Sequence, residues 1–489
     1  MRQRLHWLVL HGFVRAVAWL GARRGDPQAR LIADPAVKAD PVPFYEELRP
    51  RGPLVPGRIG YLTVDHAVAQ EVLRSEDFRV LSLGSNLPAP LRSLERRFRD
   101  DLLHPLRPPS LLSVEPPEHT RYRKLVSSVF TPRAVAALRD AVEQTAAALL
   151  DGLADQRGVV DIVDRYCSQL PIAIISDILG VPDSDRGRVL AFGELAAPSL
   201  DFGLTWPQYR QVQRGIAGFN RWLAEHLRQL RRTPGEDLMS QLIQAAETGD
   251  GETHLTETEL QAIAGLVLAA GFETTVNLLG NGIRMLLDAP HQLTRLRECP
   301  QLWPNAAEEI LRLDSPVQLT ARVARSDTVL AGTKISRGEM VVIYLAAANR
   351  DPAVFTDPHR FDVERPNANR HLAFSGVDIS VSAPRWPVPR ARWGCRRSST
   401  AFPTCGLRAP EAGATRGCCG AGRCCRWRLG RPGHWPPRTD QRSVSSRVPR
   451  RRRPMRRCAT PSSRSGARWR PRPSAAGGRW RSPRSGRRR

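Results

Sequence analysis

The chain has 489 residues and a formal net charge of +26, a balance typical of proteins that bind nucleic acid or anionic membranes. The charge is uneven, because residues 377–489 contain 30 Arg, no Lys and three acidic residues. They therefore carry +27, against −1 for residues 1–376, which excludes a generally basic body. Only Cys167 and Cys299 precede residue 377, which excludes a disulfide framework there.

The first 34 residues are predicted to form a separate helical segment. Basic residues stand at both ends of a mostly apolar centre, and Arg15 interrupts that centre. We expect no transmembrane span, because a span needs ~18 apolar residues, and a signal peptide is disfavoured by the poor cleavage signal. An amphipathic helix that packs on the body is expected, with light contact to a membrane surface as the alternative.

Helical periodicity dominates the middle of the chain. Thr131 and Pro132 have the residue types of an N-cap and a first helical position. Further helices are predicted over 164–179 and 209–230. The longest apolar helix is predicted over 256–287, and its four internal glycines require a packing or ligand reason because glycine destabilises a helix.

Strand signals are fewer. Residues 60–64, 329–331 and 341–344 have the composition of short strands, and turn glycines separate the last two. The sequence shows no repeat, no β-α-β alternation and no glycine-rich phosphate loop. We therefore predict one body over residues 35–376 that is mainly α with small β-sheets.

Residues 270–275, A-G-F-E-T-T, lie midway along the longest predicted helix. The hydroxyl of Thr274 can orient a water molecule in an apolar pocket, and the carboxylate of Glu273 can relay a proton. These two residues are therefore candidate catalytic residues. The structural alternative is a surface glutamate beside a threonine that hydrogen-bonds back to its own helix.

Two further clusters carry charge on predicted helices. Glu309 and Arg312 are three residues apart, share a helix face and can form an ion pair. His119 and Arg123 lie one turn apart after E-P-P-E and can both donate charge-assisted hydrogen bonds to a carboxylate. Each cluster alone is also what a solvated helix surface produces.

Together these three stretches resemble the cytochrome P450 family, closest to its soluble bacterial branch. The stretches T-A-R-V-A at 320–324 and H-L-A-F-S at 371–375 resemble the family's strand and loop beside heme. The resemblance implies a P450 fold and a heme b cofactor. It also implies proton delivery by Glu273 and Thr274, heme contact by Ala270 and Gly271, heme-propionate binding by His119, Arg123, Arg322 and His371, and a buried structural pair of Glu309 and Arg312.

The chain departs from the family at the heme loop, which reads F-x-x-G-x-x-x-C-x-G and whose cysteine thiolate is the axial iron ligand. Phe374 is present, but S-G-V-D-I-S-V-S-A follows it and no cysteine occurs before Cys395, which lacks the glycine pattern. The written sequence therefore supplies no metal ligand. Residues 377–489 are predicted to be a disordered Arg- and Pro-rich tail in place of the heme-loop region.

The genetic code suggests why the loop is missing. Residues 374–376 are read in the written frame, one base is restored, and from Val377 onward the third base of each codon is joined to the first two bases of the next. This reading permits F-S-G-G-R-H-F-C-L-G, in which the cysteine codon spans Ser380 and Val381. The junctions after Trp386 and Trp393 allow no choice, and they give Ala and Gly in register. We hypothesise a one-nucleotide deletion between the codons of Ser375 and Val377, which also explains the Arg excess and the long tail.

The restored protein is expected to be a cytoplasmic oxidoreductase that inserts one oxygen atom from O2 into a small apolar substrate. A ferredoxin-type donor with its reductase would supply electrons, and no specific nucleic-acid binding is expected. The chain as written is expected to be inactive, because it lacks the thiolate. The alternative function is non-specific binding of nucleic acid or anionic surfaces through the Arg-rich tail.

Overall fold

The computed structural model describes residues 1–154, 156, 160–201, 203–248 and 254–375, so the predicted tail lies outside the described residues. Helices dominate and small sheets accompany them, as predicted. The helices are α1 (Arg2–Trp7), α2 (Phe13–Ala22), α3 (Pro27–Ala33), α4 (Pro35–Ala39), α5 (Val42–Leu48), α6 (His66–Arg74), α7 (Ala89–Phe98), α8 (Glu118–Val129), α9 (Pro132–Ala137), α10 (Arg139–Ala154), α11 (Gln169–Ile178), α12 (Asp183–Ala196), α13 (Trp206–Arg232), α14 (Leu238–Thr248), α15 (Glu257–Asp288), α16 (Pro290–Glu298), α17 (Trp303–Leu313) and α18 (Leu345–Ala348). The strands are β1 (Val55–Gly57), β2 (Gly60–Thr63), β3 (Phe78–Val80), β4 (Thr320–Ala324), β5 (Thr328–Leu330), β6 (Thr333–Ile335) and β7 (Met340–Ile343).

Local capping explains where the predicted helices begin. The hydroxyl of Thr131 accepts the backbone N–H of Ala134 at 3.2 Å at the start of α9. Thr256 and Glu259 cap α15 reciprocally, each side chain accepting the backbone N–H of the other residue at 3.3 and 2.8 Å. The helix predicted over 164–179 is divided, because a π-helical turn over Val163–Cys167 precedes α11.

The main sheet pairs strands from the beginning of the body with strands from its C-terminal part. Its five strands lie in the order β1-β2-β7-β4-β3, and β2 pairs with β7 in parallel with Tyr61 opposite Val341. β4 has the bounds that the resemblance predicted, and the sheet places Arg322 between β7 and β3. β5 and β6 form a separate antiparallel pair whose turn contains Gly332 at φ +76°, a conformation that glycine adopts without strain.

The largest apolar core surrounds α15. Leu260, Ile263, Leu268 and Phe272 are buried in it, and α11, α13 and α14 pack against the same helix. A second core lies between the sheet, α6 and α18. Packing on several sides therefore fixes the residues midway along α15.

Close helix packing accounts for three of the glycines inside α15. A Cβ on Gly265 would lie 3.2 Å from side chains of α13, and a Cβ on Gly282 would lie 3.0 Å from Ile310. A Cβ on Gly271 would lie 2.9 Å from Ile175 of α11. Neighbouring helices thus approach α15 more closely than they could beside larger residues, which is a packing reason of the kind the sequence required.

The N-terminal segment packs on the body. A π-helical turn over Leu8–Gly12 joins α1 to α2. The indole N–H of Trp7 and the guanidinium of Arg15 donate to the backbone carbonyls of Leu204 and Gly203, each at 2.9 Å. The segment is therefore attached to the loop between α12 and α13.

A buried polar cluster anchors α1. Arg107 donates to Nε2 of His6 at 3.0 Å and to the carboxylate of Glu95 at 2.8 Å. Because Nε2 accepts, His6 carries its proton on Nδ1 and donates it to the hydroxyl of Tyr209 at 2.7 Å. Burial lowers the pKa of His11 to about 4, so that ring is neutral at physiological pH.

Two helical stretches of the described residues, Arg2–Ala22 and Glu257–Asp288, are long and apolar enough to cross a membrane by length and composition alone. The second is α15, whose place in the core accounts for its composition. The first lies near the N-terminus, where the sequence predicted an amphipathic helix. Length and composition are weak grounds for a span in both cases.

Candidate active site

The middle of α15 carries small side chains on an exposed face. Ala270 is exposed although it lies midway along a 32-residue helix, whereas Phe272 is buried. The hydroxyl of Thr274 donates to the carbonyl of Ala270 at 2.6 Å, and that of Thr275 donates to the carbonyl of Gly271 at 2.9 Å. These are the back-bonds of the structural alternative, so proton delivery by Thr274 stays a prediction.

Glu273 is a half-buried carboxyl next to these hydroxyls. Burial raises its pKa, and the carboxylates of Glu194 and Asp201 raise it further, while a hydrogen bond from Asn277 opposes the shift. Asn277 donates to the Glu273 carboxylate at 3.4 Å. A carboxyl with a raised pKa keeps its proton over a wider pH range, which suits a proton relay.

The side of Gly271 on which a side chain would stand faces a neighbouring helix. The position that a side chain would occupy lies against Ile175 of α11. Helix packing therefore explains this glycine, and its contact with heme stays a prediction that its backbone alone would have to satisfy.

Three predicted propionate ligands lie on α8 and β4. His119 and Arg123 are both half-buried on α8. Burial and then the charge of Arg123 lower the pKa of His119, so this ring is neutral at physiological pH and donates through one N–H. Arg322 donates to the carbonyl of Ala321 at 3.0 Å and to the hydroxyl of Thr320 at 3.2 Å, and burial lowers its pKa.

His371 is held by Glu308. Its Nδ1 accepts the backbone N–H of Ala373 at 3.1 Å, so its Nε2 carries the proton and donates to the Glu308 carboxylate at 3.0 Å. The Phe374 ring lies 5.7 Å from the imidazole, measured between centroids. Nothing in the sequence pattern indicated Glu308 as a partner, and propionate binding by His371 stays a prediction.

Glu309 and Arg312 are both completely buried and form two hydrogen bonds, at 2.7 and 2.9 Å. Arg365 donates to both oxygens of the same carboxylate at 3.0 Å. Arg312 also donates to the carbonyls of Asn349 and Pro358, each at 2.8 Å. The charges are tolerated in the core because so many of their donors and acceptors are paired.

Arg365 is the member of this network to which the sequence assigned no role. It stands 56 positions from Glu309 in the stretch F-D-V-E-R-P, which resembles the family's segment before the heme loop. No spacing rule connects two residues so far apart. The available signal was the resemblance of this stretch to the family.

These residues fit heme by their chemistry. α15 offers a face of small residues, and His119, Arg123 and Arg322 offer N–H donors from two other elements. Burial lowers the pKa of Arg322, and the charge of Glu115 opposes this shift in part, although no carboxylate among the described residues lies within the 4.0 Å of an ion pair with it. An anionic propionate would compensate the charge of Arg322.

Comparisons with known proteins identify the family of the chain. The family model described as cytochrome P450 matches residues 96–299 and 301–378. The protein described as cytochrome P450 140 of Mycobacterium tuberculosis is 72% identical over 375 residues, which are 77% of this chain and 86% of that protein. The 6-deoxyerythronolide B hydroxylase of Saccharopolyspora erythraea is 43% identical over 273 residues, which are 55% of this chain and 65% of the hydroxylase.

Solved structures give the same result. Ligand-free CYP164A2 of Mycobacterium smegmatis aligns with a TM-score of 0.69 and 30% identity, over 83% of this chain and 99% of that chain. The fold and the family match therefore place the chain in the class of heme-dependent monooxygenases. The chain belongs to the cytochrome P450 family, whose cofactor is heme b.

Proposed function

We propose that the frame-restored protein inserts one oxygen atom of O2 into a small apolar organic substrate. The observation that carries this function is Glu273, a half-buried carboxyl of raised pKa that directly precedes the hydroxyl of Thr274 midway along α15. Heme, when bound, supplies the dioxygen chemistry. The substrate class rests on the apolar surroundings of α15 and on the family.

The residues of this chain would bind the cofactor and move protons. Glu273 would hold a proton at its carboxyl, and Thr274 would pass one on through a water molecule after releasing the carbonyl of Ala270. Ala270 and Gly271 would lie against the macrocycle. The propionate ligands would be His119, Arg123, Arg322 and His371, and the pair Glu309 and Arg312 would be structural.

The chain as written would not perform this reaction, because it lacks the loop cysteine. A one-nucleotide deletion between the codons of Ser375 and Val377 would account for the loss. Two observations support it: the family match ends at residue 378, and the loop pattern fails directly after Phe374. Cys395 lies outside the described residues and lacks the glycine pattern of the heme loop.

The same proposal divides the chain into a helical segment over 1–34, an incomplete P450 body over 35–376 and an out-of-frame tail over 377–489. The restored protein would take electrons from a ferredoxin-type donor and its reductase, as the soluble bacterial branch implies. We place it in the cytoplasm. The nearly neutral charge of residues 1–376 and the scarcity of cysteine there support this location.

Resequencing the gene across the codons for Phe374 to Ser382 tests the deletion directly. An extra base would restore the cysteine loop. The repaired protein should then bind heme and give the carbon monoxide difference spectrum of a thiolate-ligated iron. The written chain, and a repaired variant with serine at the loop cysteine, should not. A thiolate spectrum from the written chain would refute the proposed inactivity.

The alternative function is non-specific binding of nucleic acid or anionic surfaces through the tail, favoured by its charge of +27. Because such binding releases counterions, it should fall steeply with ionic strength. It should also disappear when residues 377–489 are deleted. Binding that survives either change would not come from the tail.

A further inference from the structure

The outer face of the helical segment Arg2–Ala22, from the π-helical turn through α2, carries exposed apolar side chains. Leu8, Phe13, Trp19 and Leu20 are 45–49% exposed. Together with Met1, they are five of the eleven large apolar side chains that are exposed among the described residues. Single exposed apolar residues are ordinary, but several on one short helical segment indicate a surface that contacts another apolar phase.

The same segment is strongly basic. Residues 1–25 contain five Arg and no acidic residue, and the guanidinium of Arg23 lies 3.5 Å from the Trp19 ring centroid. The neighbouring helix α7 adds Arg96 and Arg97 beside the exposed Leu94. Apolar side chains bordered by cations match the boundary between the headgroups and acyl chains of an anionic bilayer.

The inner face of the segment stays attached to the body. His6 and His11 are buried, and the hydrogen bonds of Trp7 and Arg15 end on the loop between α12 and α13. A segment that crossed a membrane would break these bonds and bring buried polar groups into hydrocarbon. A segment that lies flat on the surface keeps them and needs no rearrangement.

We propose that the helical segment Arg2–Ala22 and the Arg23 that follows it form a lipid-docking surface that lies in the plane of an anionic bilayer. The surface consists of Leu8, Phe13, Trp19, Leu20 and Arg23. The docking holds the whole body against the membrane surface without a span. It is independent of the proposed chemistry, because none of these residues belongs to the candidate active site.

The test is binding of the full chain to phosphatidylcholine vesicles that contain phosphatidylserine. Because the Arg-rich tail also attracts these vesicles, binding is measured at low salt and at about 1 M salt, where the Debye length is about 3 Å. At high salt, the triple variant Leu8→Ser/Phe13→Ser/Leu20→Ser should bind the vesicles at least tenfold more weakly than the parent chain. The exposed half of each of these side chains is the apolar area that would contact lipid, and serine removes it. The matched control is Val329→Ser. Val329 is a 60% exposed apolar residue of β5, away from the proposed surface, and its replacement should leave binding unchanged.

A second readout locates the helix. Brominated lipid should quench part of the tryptophan fluorescence of the parent chain, and Trp19→Phe should remove that part. Equal high-salt binding of the parent and the triple variant would overturn the lipid-docking surface, because the tail alone would then explain adsorption. A parent chain that binds no vesicles but forms a dimer abolished by the triple variant would also overturn it, with a second copy as the occupant.

Discussion

Glu273 and Glu309 are two glutamates on the neighbouring helices α15 and α17, and the surrounding residues provide them with very different numbers of hydrogen-bond donors. Glu309 is completely buried and receives four hydrogen bonds from the guanidinium groups of Arg312 and Arg365. Glu273 receives one long hydrogen bond from Asn277, and burial raises its pKa. The difference separates a charge that holds the fold from a carboxyl that is able to exchange its proton.

The largest expected effect comes from breaking the Glu309 network. Arg312→Ala should lower the free energy of unfolding by about 3–5 kcal/mol, because it leaves a buried carboxylate incompletely paired. Urea unfolding followed by circular dichroism measures the change. Arg51→Ala is the control, because its pair with Glu47 is exposed and worth no more than about 1 kcal/mol. Similar losses in both variants would contradict the structural assignment of the network.

The next largest effect is expected on turnover, at Thr274, which follows Glu273 in the sequence. In the frame-restored protein, Thr274→Val should lower turnover by about 100-fold, because it removes a hydroxyl from proton delivery. Thr275→Val is the matched control, because the two threonines make equivalent back-bonds and differ only in position. Heme content should be unchanged in both variants. Equal turnover of the two variants would remove Thr274 from the mechanism.

Glu273→Gln should change the pH dependence of stability. The folded state raises the pKa of Glu273 above its ordinary value of 4.5. The contribution of this carboxyl to the free energy of unfolding is therefore fully present below pH 4.5, and it is lost as the pH rises through the folded pKa. The glutamine variant should therefore be more stable than the parent at neutral pH and equal to it at acidic pH. Thermal unfolding at several pH values measures the difference.

Glu364→Gln provides the comparison of opposite sign. A hydrogen bond and the charge of Arg295 hold the pKa of Glu364 below its ordinary value. This carboxyl therefore stabilises the fold above its unfolded pKa, and the contribution is lost as the pH falls. The glutamine variant should be slightly less stable than the parent at neutral pH. The same sign for both variants would contradict the contrast between the two environments.

The smallest effect is expected at Gly271. In Gly271→Ala, a gain of about 1 kcal/mol in helix propensity opposes the contact of the new Cβ with Ile175. The net change in unfolding free energy should lie within about 1 kcal/mol, and Ile175→Val should shift it toward stabilisation by making room. A loss of heme from the restored Gly271→Ala variant, without a loss of stability, would instead indicate direct cofactor contact.

Local patterns predicted much of the fold. The capping residue Thr131 is adjacent in sequence to the helix it begins, so residue type alone indicated this start. The start of α15 near Thr256 was predicted from its apolar composition, and the structure adds the capping hydrogen bond of Thr256. The strand β4 came from the resemblance, and its bounds are confirmed. β1, β3 and β6 were not predicted, because each has only three residues and carries too little periodicity. β5 is equally short, and the turn glycine after it indicated its position.

The site was predictable only in part. The sequence placed Glu309 and Arg312 on one helix face, since three positions make less than one turn. It did not indicate that Arg365 donates to the carboxylate of Glu309, or that Glu308 accepts the Nε2 proton of His371. These groups come from segments far apart in sequence and meet only in the folded chain. Tertiary packing, which no local rule encodes, produces such contacts.

The parallel pairing of β2 with β7 has a consequence for how the chain is made. Tyr61 must wait for Val341, some 280 residues later, which takes on the order of 15–55 s at typical ribosomal rates of ~5–20 residues/s. Contacts of such sequence separation form slowly. During that interval the unpaired edge of β2 is available to other chains, so newly made protein should depend on chaperones more than its helical content suggests.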